Sequence, residues 1–194
     1  MKESLIISIL IVFIYMFLFS NKNKLILTEA GKEGEKFLVF NDKKKKESAG
    51  LLKLMIGKMY KLKTHLVENK DRFPKFKDSI ELLQKNFTKT RTRIFENPPT
   101  SDYTSYSVNK GEELAFCLRS KKNGNLHNIN LLMYVALHEL AHVGCHEIGH
   151  TQLFKEIFEF YTKEAIKIGI YKYDDYDSNP VEYCGMVLSS SILW

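Results

Sequence analysis

The sequence predicts an α+β domain in which a buried helix packs against a small antiparallel sheet, behind an apolar N-terminal helix. Three patterns predict this fold class: an apolar run in residues 5–19, helical spacing of apolar residues in residues 51–87, and strand-like alternation in residues 106–118. With 194 residues, of which 44% are hydrophobic, the chain can bury one core of this kind. The expected parts are an anchor in residues 1–20, a linker with one short strand in residues 21–50, and a domain in residues 51–194.

Residues 5–19 (LIISILIVFIYMFLF) contain a single polar residue, Ser8. A helix over such a run reaches about 25 Å, slightly less than the hydrocarbon core of a bilayer. A cleaved signal peptide is the alternative, but no small-residue cleavage motif follows the run. The lysines lie mainly after it, at Lys22, Lys24 and residues 43–46. This distribution predicts a single-pass membrane protein whose C-terminal domain faces the cytoplasm.

Composition restricts the partners only loosely. The formal net charge of +6 favours anionic partners such as nucleic acid or lipid head groups, but it is spread over many lysines. The basic stretch in residues 89–93 alternates with threonine rather than with aromatic residues, which argues against direct nucleic-acid recognition there. The three cysteines form no CxxC pair, which fits a reducing compartment better than a disulfide-rich secreted domain.

Apolar periodicity predicts the other elements. Residues three and four positions apart predict helices in residues 51–66 and 76–87. Alternating residues on both sides of a glycine turn at residues 109–111 predict a β-hairpin, whose second strand covers residues 114–118. The remaining expected elements are a strand at residues 37–40, a helix capped by Thr151 and stopped by Gly169, and a short apolar helix after the turn at residues 177–180.

The polar residues of one otherwise apolar helix indicate a metal site. This helix, capped by Asn128 or Asn130, contains the sequence HELAH in residues 138–142. Histidines four positions apart project from one face of a helix and can share a metal ion, while the intervening Glu139 can act on a water molecule. An unpaired Glu139 buried in such a helix would be costly, and a metal ion explains the three polar residues together. A chance match or a hydrogen-bonded core network is the alternative.

A zinc hydrolase needs a third protein ligand besides His138 and His142 and keeps a fourth position open for water. Three residues remain as candidates for this ligand. They are His150, the nearer His146 and a distant carboxylate such as Glu182.

Two glycines distinguish the nearer candidates. In a continuous helix, His146 would lie about 12 Å along the axis from the first histidine, too far to share one ion. Gly144 can end the helix and Gly149 can bend the backbone, which favours His150 as the ligand. Cys145 as a ligand would instead close the coordination sphere and make the site structural.

The segment HELAHVGCHEIGHTQLF (residues 138–154) resembles the active-site segment of WLM-type and related SprT-like zinc metallopeptidases, including small membrane-anchored members from large DNA viruses. The resemblance covers roughly residues 105–186, including Ser107-Val108-Asn109-Lys110-Gly111 and Tyr183-Cys184-Gly185-Met186. Seven residues lie between His142 and His150, whereas the WLM pattern has five residues between its second and third ligands. The resemblance implies a minimal zincin-like domain with one zinc ion held by His138, His142 and His150 and with Glu139 as the general acid and base.

The sequence therefore predicts a membrane-anchored zinc metallopeptidase that hydrolyses a polypeptide substrate, in a host-cell or virion membrane if the protein is viral. Tyr183 is expected either to stabilise the transition state or to be a buried structural tyrosine. By analogy with zincins, the strand at residues 114–118 is expected to offer its edge to an extended substrate. WLM and SprT-like proteins are associated with proteolysis of proteins crosslinked to DNA, so nucleic acid is a further candidate partner. The alternative function is a non-catalytic membrane protein with a structural zinc site and a basic surface for lipid or nucleic acid.

Overall fold

The computed structural model describes residue 9, residues 24–31 and residues 34–193. Within these residues the chain forms four helices, a five-stranded sheet and a separate two-stranded sheet, which is a mixed α+β architecture. The predicted anchor in residues 1–20 lies outside the described residues except for residue 9. None of the described helices combines the length and the apolar character needed to cross a bilayer.

The main sheet consists of β1 (Leu25–Glu29), β2 (Lys36–Phe40), β3 (Arg93–Glu96), β4 (Tyr106–Val108) and β5 (Glu113–Phe116). The helices are α1 (Lys45–Glu68), α2 (Lys77–Asn86), α3 (Ile129–Gly144) and α4 (Gln152–Lys167). The second sheet pairs β6 (Val181–Tyr183) with β7 (Met186–Leu188). The strand order of the main sheet is β1-β2-β3-β5-β4; β2, β3 and β5 are parallel, and the two outer strands are antiparallel to their neighbours.

The predicted linker in residues 21–50 is wrong for most of its length. Strands β1 (residues 25–29) and β2 (residues 36–40) pair in the antiparallel direction in the main sheet, and α1 begins at Lys45. The sequence of edge strand β1 does not alternate between apolar and polar residues, because the apolar residue Leu27 is exposed on it. The short strand expected at residues 37–40 is confirmed within β2. The sheet is mixed rather than antiparallel because α1 and α2 form the crossover that parallel strands β2 and β3 require.

The predicted helices and the hairpin are confirmed, and together they surround α3. The buried side chains of α1 recur at the expected helical spacing, namely Leu52, Met55, Met59, Leu62 and Leu66. Leu114 and Phe116 of β5 are fully buried in the same core. Helix α3 contacts α1, α2 and α4, and most of its residues are buried. The helix that carries the candidate ligands is therefore held on several sides.

The predicted helix boundaries are also confirmed. The Asn128 side chain accepts a hydrogen bond from the backbone N–H of Leu131 at 2.8 Å, which selects it over Asn130 as the cap of α3. Thr151 caps α4 by accepting from the N–H of Phe154 at 3.3 Å. These caps satisfy N–H groups that have no partner within a helix.

The apolar helix expected after residue 180 is wrong, since this segment forms the β6–β7 hairpin. Cys184 and Gly185 both have positive φ angles, +52° and +89°. Two consecutive left-handed residues are typical of the tight turns that join antiparallel strands, and they are incompatible with a helix.

Cys117 and Cys184 form a disulfide, which the spacing of the three cysteines did not predict. Local spacing could not show this pair, because the two residues are 67 positions apart and only the fold brings them together. Cys145 remains a buried free thiol. The disulfide ties the β6–β7 hairpin to the end of β5.

Candidate metal centre and active-site cleft

Three histidine side chains converge on one point. The Nε2 atom of His142 lies 3.2 Å from that of His138 and 3.2 Å from that of His150, and the third distance is 3.1 Å. Around a tetrahedral zinc ion with Zn–N bonds of 2.0–2.1 Å, neighbouring nitrogens are roughly 3.3 Å apart. The three nitrogens therefore fit one metal ion of this type.

The end of α3 explains why His150 reaches this point. Helix α3 stops at Gly144, and Gly149 has a φ of +83°, so the chain turns back before α4 begins. His146 points elsewhere, with a side chain that is 68% exposed and lies beside Glu147. The fold thus brings His150, and not His146, to the two histidines of α3.

The other ligand candidates lie outside the cluster. Glu182 accepts a hydrogen bond from the backbone N–H of Gly185 inside the β6–β7 turn. Cys145 is buried and does not belong to the group. Within residues 24–31 and 34–193, the group of side chains that could share a metal ion here consists of the three histidines alone. A four-coordinate ion bound by them would keep one position for water or substrate.

Burial keeps two of these imidazoles neutral. Desolvation, together with the neighbouring imidazoles, lowers the pKa of His138 to about 3. Desolvation, with smaller contributions from His150 and Lys110, lowers the pKa of His142 to about 4. Only a neutral imidazole offers a lone pair to a metal. Both rings of α3 are therefore in the ligating form at neutral pH.

Aromatic side chains of α4 hold the imidazoles in place. Phe154 stacks on His142 with ring centroids 4.2 Å apart, and it also contacts His138 and His150 at 5.0 and 4.8 Å. Phe158 meets His138 edge-on at 5.3 Å. The apolar spacing of α4 predicted only core packing for these aromatic side chains. The available signal was the spacing of four residues from His150 to Phe154 to Phe158, which places all three on one side of the chain.

Glu139 is the acidic residue of the cleft. It is only 5% exposed, and burial raises the pKa of its carboxyl to about 8. No described residue donates a hydrogen bond to this carboxyl. Buried carboxyl groups normally have partners, because an unpaired one is costly. The position of Glu139 therefore calls for a ligand, a metal or water.

A cavity of about 810 Å³ opens over the histidines and Glu139. Edge strand β4, helix α3, the segment before α4 and the β6–β7 hairpin contribute to its lining. Its larger apolar residues are Tyr106, Tyr134, Val135, Ile148, Met186 and Leu188. Two of these stand out at its rim, because Ile148 is 89% exposed and Met186 is 50% exposed. The cleft is thus apolar around a small polar centre, as is usual for ligand sites.

The strand that offers a free edge at the cleft is β4, and not the strand at residues 114–118 as predicted. Strand β5 is paired on both sides, with β3 and with β4. Strand β4 is outermost and lines the cleft through Tyr106 and Ser107. The Ser107 hydroxyl oxygen is buried and has no hydrogen-bond partner in the described protein.

Tyr183 lines the same cleft, and its hydroxyl group is held by the protein. It lies 2.5 Å from the Ser105 hydroxyl oxygen, which accepts a hydrogen bond from the N–H of Cys117 at 3.1 Å. Burial raises the pKa of Tyr183, and the nearby Glu139 carboxylate adds to the effect. Tyr183 therefore stays protonated and can act as a hydrogen-bond donor.

The basic stretch in residues 89–93 is partly neutralised. Arg91 pairs with Glu112 at 3.4 Å and Arg93 pairs with Glu113 at 2.8 Å. These ion pairs lower the net positive charge of the surface around residues 89–93, which reduces its attraction for nucleic acid. Nucleic acid as a partner stays a prediction.

Comparison with known proteins shows a viral family. No protein-family model matches the chain. The chain is 45% identical over 157 residues to the uncharacterized protein R325 of Acanthamoeba polyphaga mimivirus, and the match covers 81% of this chain and 79% of that protein. The chain belongs to the family of that viral protein. It is also 34% identical over 99 residues to the uncharacterized protein 136R of Invertebrate iridescent virus 6, covering 50% of this chain and 52% of that protein.

Two further similarities are more limited. The uncharacterized protein 042R of Invertebrate iridescent virus 3 is 41% identical over 79 residues, which are 40% of this chain and 49% of that protein. The crystal structure of Wss1 from Saccharomyces cerevisiae matches with a TM-score of 0.47 and 18% identity, covering 67% of this chain and 86% of that one. A TM-score below 0.5 does not establish a shared fold. Function is therefore argued from the site.

Proposed function

We propose that this protein is a zinc-dependent metallopeptidase. One observation carries the proposal: three Nε2 atoms converge within 3.2 Å of one another beside a buried carboxyl group that has no partner in the described protein. Catalytic zinc sites use three protein ligands and an open position, whereas structural sites are closed by a fourth protein ligand. The three-histidine group supports the catalytic arrangement over the structural one.

In this proposal His138, His142 and His150 hold one zinc ion per chain. Bound zinc would lower the pKa of a coordinated water and polarise the carbonyl of the scissile bond. Glu139 accepts a proton at its carboxylate oxygen from the attacking water and gives it to the nitrogen of the leaving amine. Burial raises the pKa of this carboxyl, and the positive charge of a bound zinc ion would lower it again, so that the carboxylate is present to accept the proton. We assign to Tyr183 a hydrogen bond to the developing oxyanion.

The proposed substrate is an extended polypeptide that pairs with the free edge of β4. Main-chain hydrogen bonds to such an edge bind a peptide regardless of its sequence, and neighbouring pockets select its side chains. The apolar lining of the cleft, with Val135 and Leu188 inside and Met186 at the rim, favours apolar side chains near the scissile bond.

We also propose that residues 5–19 anchor the domain in a membrane, in a host cell or a virion if the protein is viral, with the domain on the cytoplasmic side. The apolar run precedes β1 by only a few residues, so an anchor there would restrict hydrolysis to polypeptides at the same membrane face. The lysines that follow the apolar run support the cytoplasmic side, whereas the Cys117–Cys184 disulfide is more typical of oxidising compartments.

The test is Glu139→Gln in the full chain, loaded with zinc. We expect the variant to keep about one zinc per chain and to lose at least about 100-fold in the rate of hydrolysis of a denatured, fluorescently labelled polypeptide, because the amide cannot accept the proton. Glu147→Gln is the matched control. Glu147 lies in the segment before α4, but its side chain is 39% exposed and does not line the cleft, so this variant should retain the parental rate.

Zinc content identifies the ligands in the same series. His150→Ala should lose zinc, and His146→Ala should keep it. The proposal is wrong if the parent chain binds no zinc or if Glu139→Gln hydrolyses the substrate at the parental rate. Zinc binding by a parent chain that cleaves no polypeptide would instead support the alternative, a structural zinc site.

A further inference from the structure

The turn between β4 and β5 has a strained backbone. Asn109, Lys110 and Gly111 have φ angles of +47°, +55° and +98°, so three consecutive residues lie in the left-handed region. This conformation costs energy for the two residues that are not glycine, and it persists only where surrounding contacts hold it. The turn indeed abuts the end of α3, since a Cβ atom on Gly111 would lie 3.0 Å from a methyl group of Val143.

The strained turn places the Lys110 side chain in the cleft. Its ammonium group donates hydrogen bonds to the carbonyl oxygen of Cys145, at 2.8 Å, and to that of Glu147. Both carbonyls belong to the segment that leaves α3 and carries His150. Lys110 therefore connects the β4–β5 turn to the segment before α4.

This segment has few other attachments. It follows the last turn of α3, whose carbonyl groups lack partners within the helix. In the described part of the chain, the hydrogen bonds that tie the carbonyls of residues 145–150 to other elements come from Lys110. The side chains of His146 and Ile148 are exposed and add little packing. Without Lys110, the position of His150 would depend on the buried Cys145 side chain at the start of the segment and on the ring contacts of His150 with Phe154, His138 and His142.

We propose that Lys110 is a positioning residue for the metal centre, which fixes residues 145–150 so that His150 meets the two histidines of α3. The proposal rests on the zinc site proposed above. Lys110 is not one of the three candidate ligands. By holding the segment in place before zinc binds, Lys110 reduces the conformational entropy that His150 loses on binding. Hydrogen bonds outside the ligand shell orient metal ligands in other proteins in the same way.

The charge of Lys110 and its hydrogen bonds predict opposite effects of its removal on zinc affinity. The positively charged ammonium group of Lys110 lines the same cleft as His142. Such a charge opposes a bound cation. If charge alone mattered, removing it would tighten zinc binding. If position matters more, removing the two hydrogen bonds weakens zinc binding.

The experiment measures the zinc dissociation constant of the full chain by competition with a chromophoric chelator. We expect Lys110→Met, which keeps the side-chain length, to raise the dissociation constant about 10- to 100-fold, as loss of a supporting hydrogen bond does at other metal sites. Lys110→Arg, which keeps the charge and the donors, should restore most of the affinity. Lys121→Met is the matched control, because the Lys121 ammonium group also binds two carbonyls, those of Ser101 and Tyr103, away from the ligand segment.

The outcomes separate this inference from the proposed function. Zinc binding by the parent chain together with equal or tighter binding by Lys110→Met would overturn the role of Lys110 alone. Equal weakening by Lys121→Met would overturn it as well, since the effect would then be general. A parent chain that binds no zinc overturns both proposals. Circular dichroism of the metal-free proteins checks folding, and Lys110→Gln replaces Lys110→Met if the latter does not fold.

Discussion

Arg119 and Glu139 are both buried ionisable side chains, but their surroundings differ. Arg119 is 1% exposed, and its guanidinium group donates to the Glu96 carboxylate at 2.7 Å and to the Ser48 hydroxyl at 2.6 Å. It also pairs with Asp42. Among the described residues, Glu139 has no comparable partner. A fully paired buried charge organises the fold, whereas an unpaired one marks a position where a ligand is expected.

Arg119→Met should lower the free energy of unfolding by about 3 to 5 kcal/mol, because it leaves the carboxylate of Glu96 buried without its cation. Urea denaturation monitored by circular dichroism measures the change. The matched control is Arg93→Met, since Arg93 pairs with Glu113 at 2.8 Å but is 70% exposed.

The control should cost less than about 1 kcal/mol, because water screens an exposed pair. If both variants lost a similar free energy of unfolding, the stabilisation by the Arg119 ion pair would not depend on its burial. The Arg119 variant should also keep the three-histidine site. Arg119 and its partners lie elsewhere, at the N-terminal end of α1 and at the ends of β2, β3 and β5.

Helix α3 can end next to α2 and α4 only because its last residue is glycine. The Tyr161 and Ser79 hydroxyl groups, both buried, form a hydrogen bond of 2.8 Å beside Gly144. A Cβ atom at this position would overlap the Tyr161 hydroxyl group and lie 3.0 Å from the Ser79 oxygen. The same glycine therefore ends the helix and permits close packing at the point from which the chain turns back toward His150.

Gly144→Ala should destabilise the protein by about 1 to 3 kcal/mol, the usual cost of adding a methyl group to a packed site. Gly57→Ala is the matched control. Gly57 lies within α1, and a Cβ atom there would meet nothing within 4 Å. Alanine should stabilise α1 by about 0.5 to 1 kcal/mol, because glycine loses more backbone entropy in a helix.

Thermal and urea unfolding of both variants measure the two effects. A stabilising Gly144→Ala would show that the Tyr161–Ser79 pair moves aside at no cost. In that case the packing at the end of α3 is looser than the distances imply.

The two sheets are joined across the domain by the Cys117–Cys184 disulfide. Cys117 follows β5, and Cys184 lies in the β6–β7 turn next to Tyr183. The backbone N–H of Cys184 also donates to the His127 ring at 3.2 Å. The hairpin that supplies Tyr183, Met186 and Leu188 to the cleft is thus connected covalently to the main sheet.

Cys184→Ser should lower the free energy of unfolding by about 4 kcal/mol relative to the oxidised parent, because the disulfide closes a loop of 67 residues. Denaturation of the parent with and without a dithiol reductant measures the same quantity. Cys145→Ser is the control, since Cys145 is a free thiol and its effect should not depend on the reductant. Equal stability of the oxidised and reduced parent would contradict this prediction.

Local patterns predicted the parts of the fold that depend on neighbours in the sequence. The helical stripe of α1, the hairpin β4–β5, and the caps Asn128 and Thr151 follow from spacing and from single side chains that bond nearby N–H groups. Longer-range features were missed. Edge strand β1 shows no alternation, and the turn at Cys184 and Gly185 lies within residues 181–194, whose apolar residues also suit a helix.

The sequence alone determined the candidate metal-ligand pair on α3 and the two glycines that allow the chain to return, because helix periodicity and glycine conformation act within a few residues. Tertiary structure decided what depends on distant contacts. It brought Phe154 against the three imidazoles, Lys110 to the segment that carries His150, and Cys117 to Cys184. It also made β4 rather than β5 the free edge, because the pairing of a strand is a property of the assembled sheet.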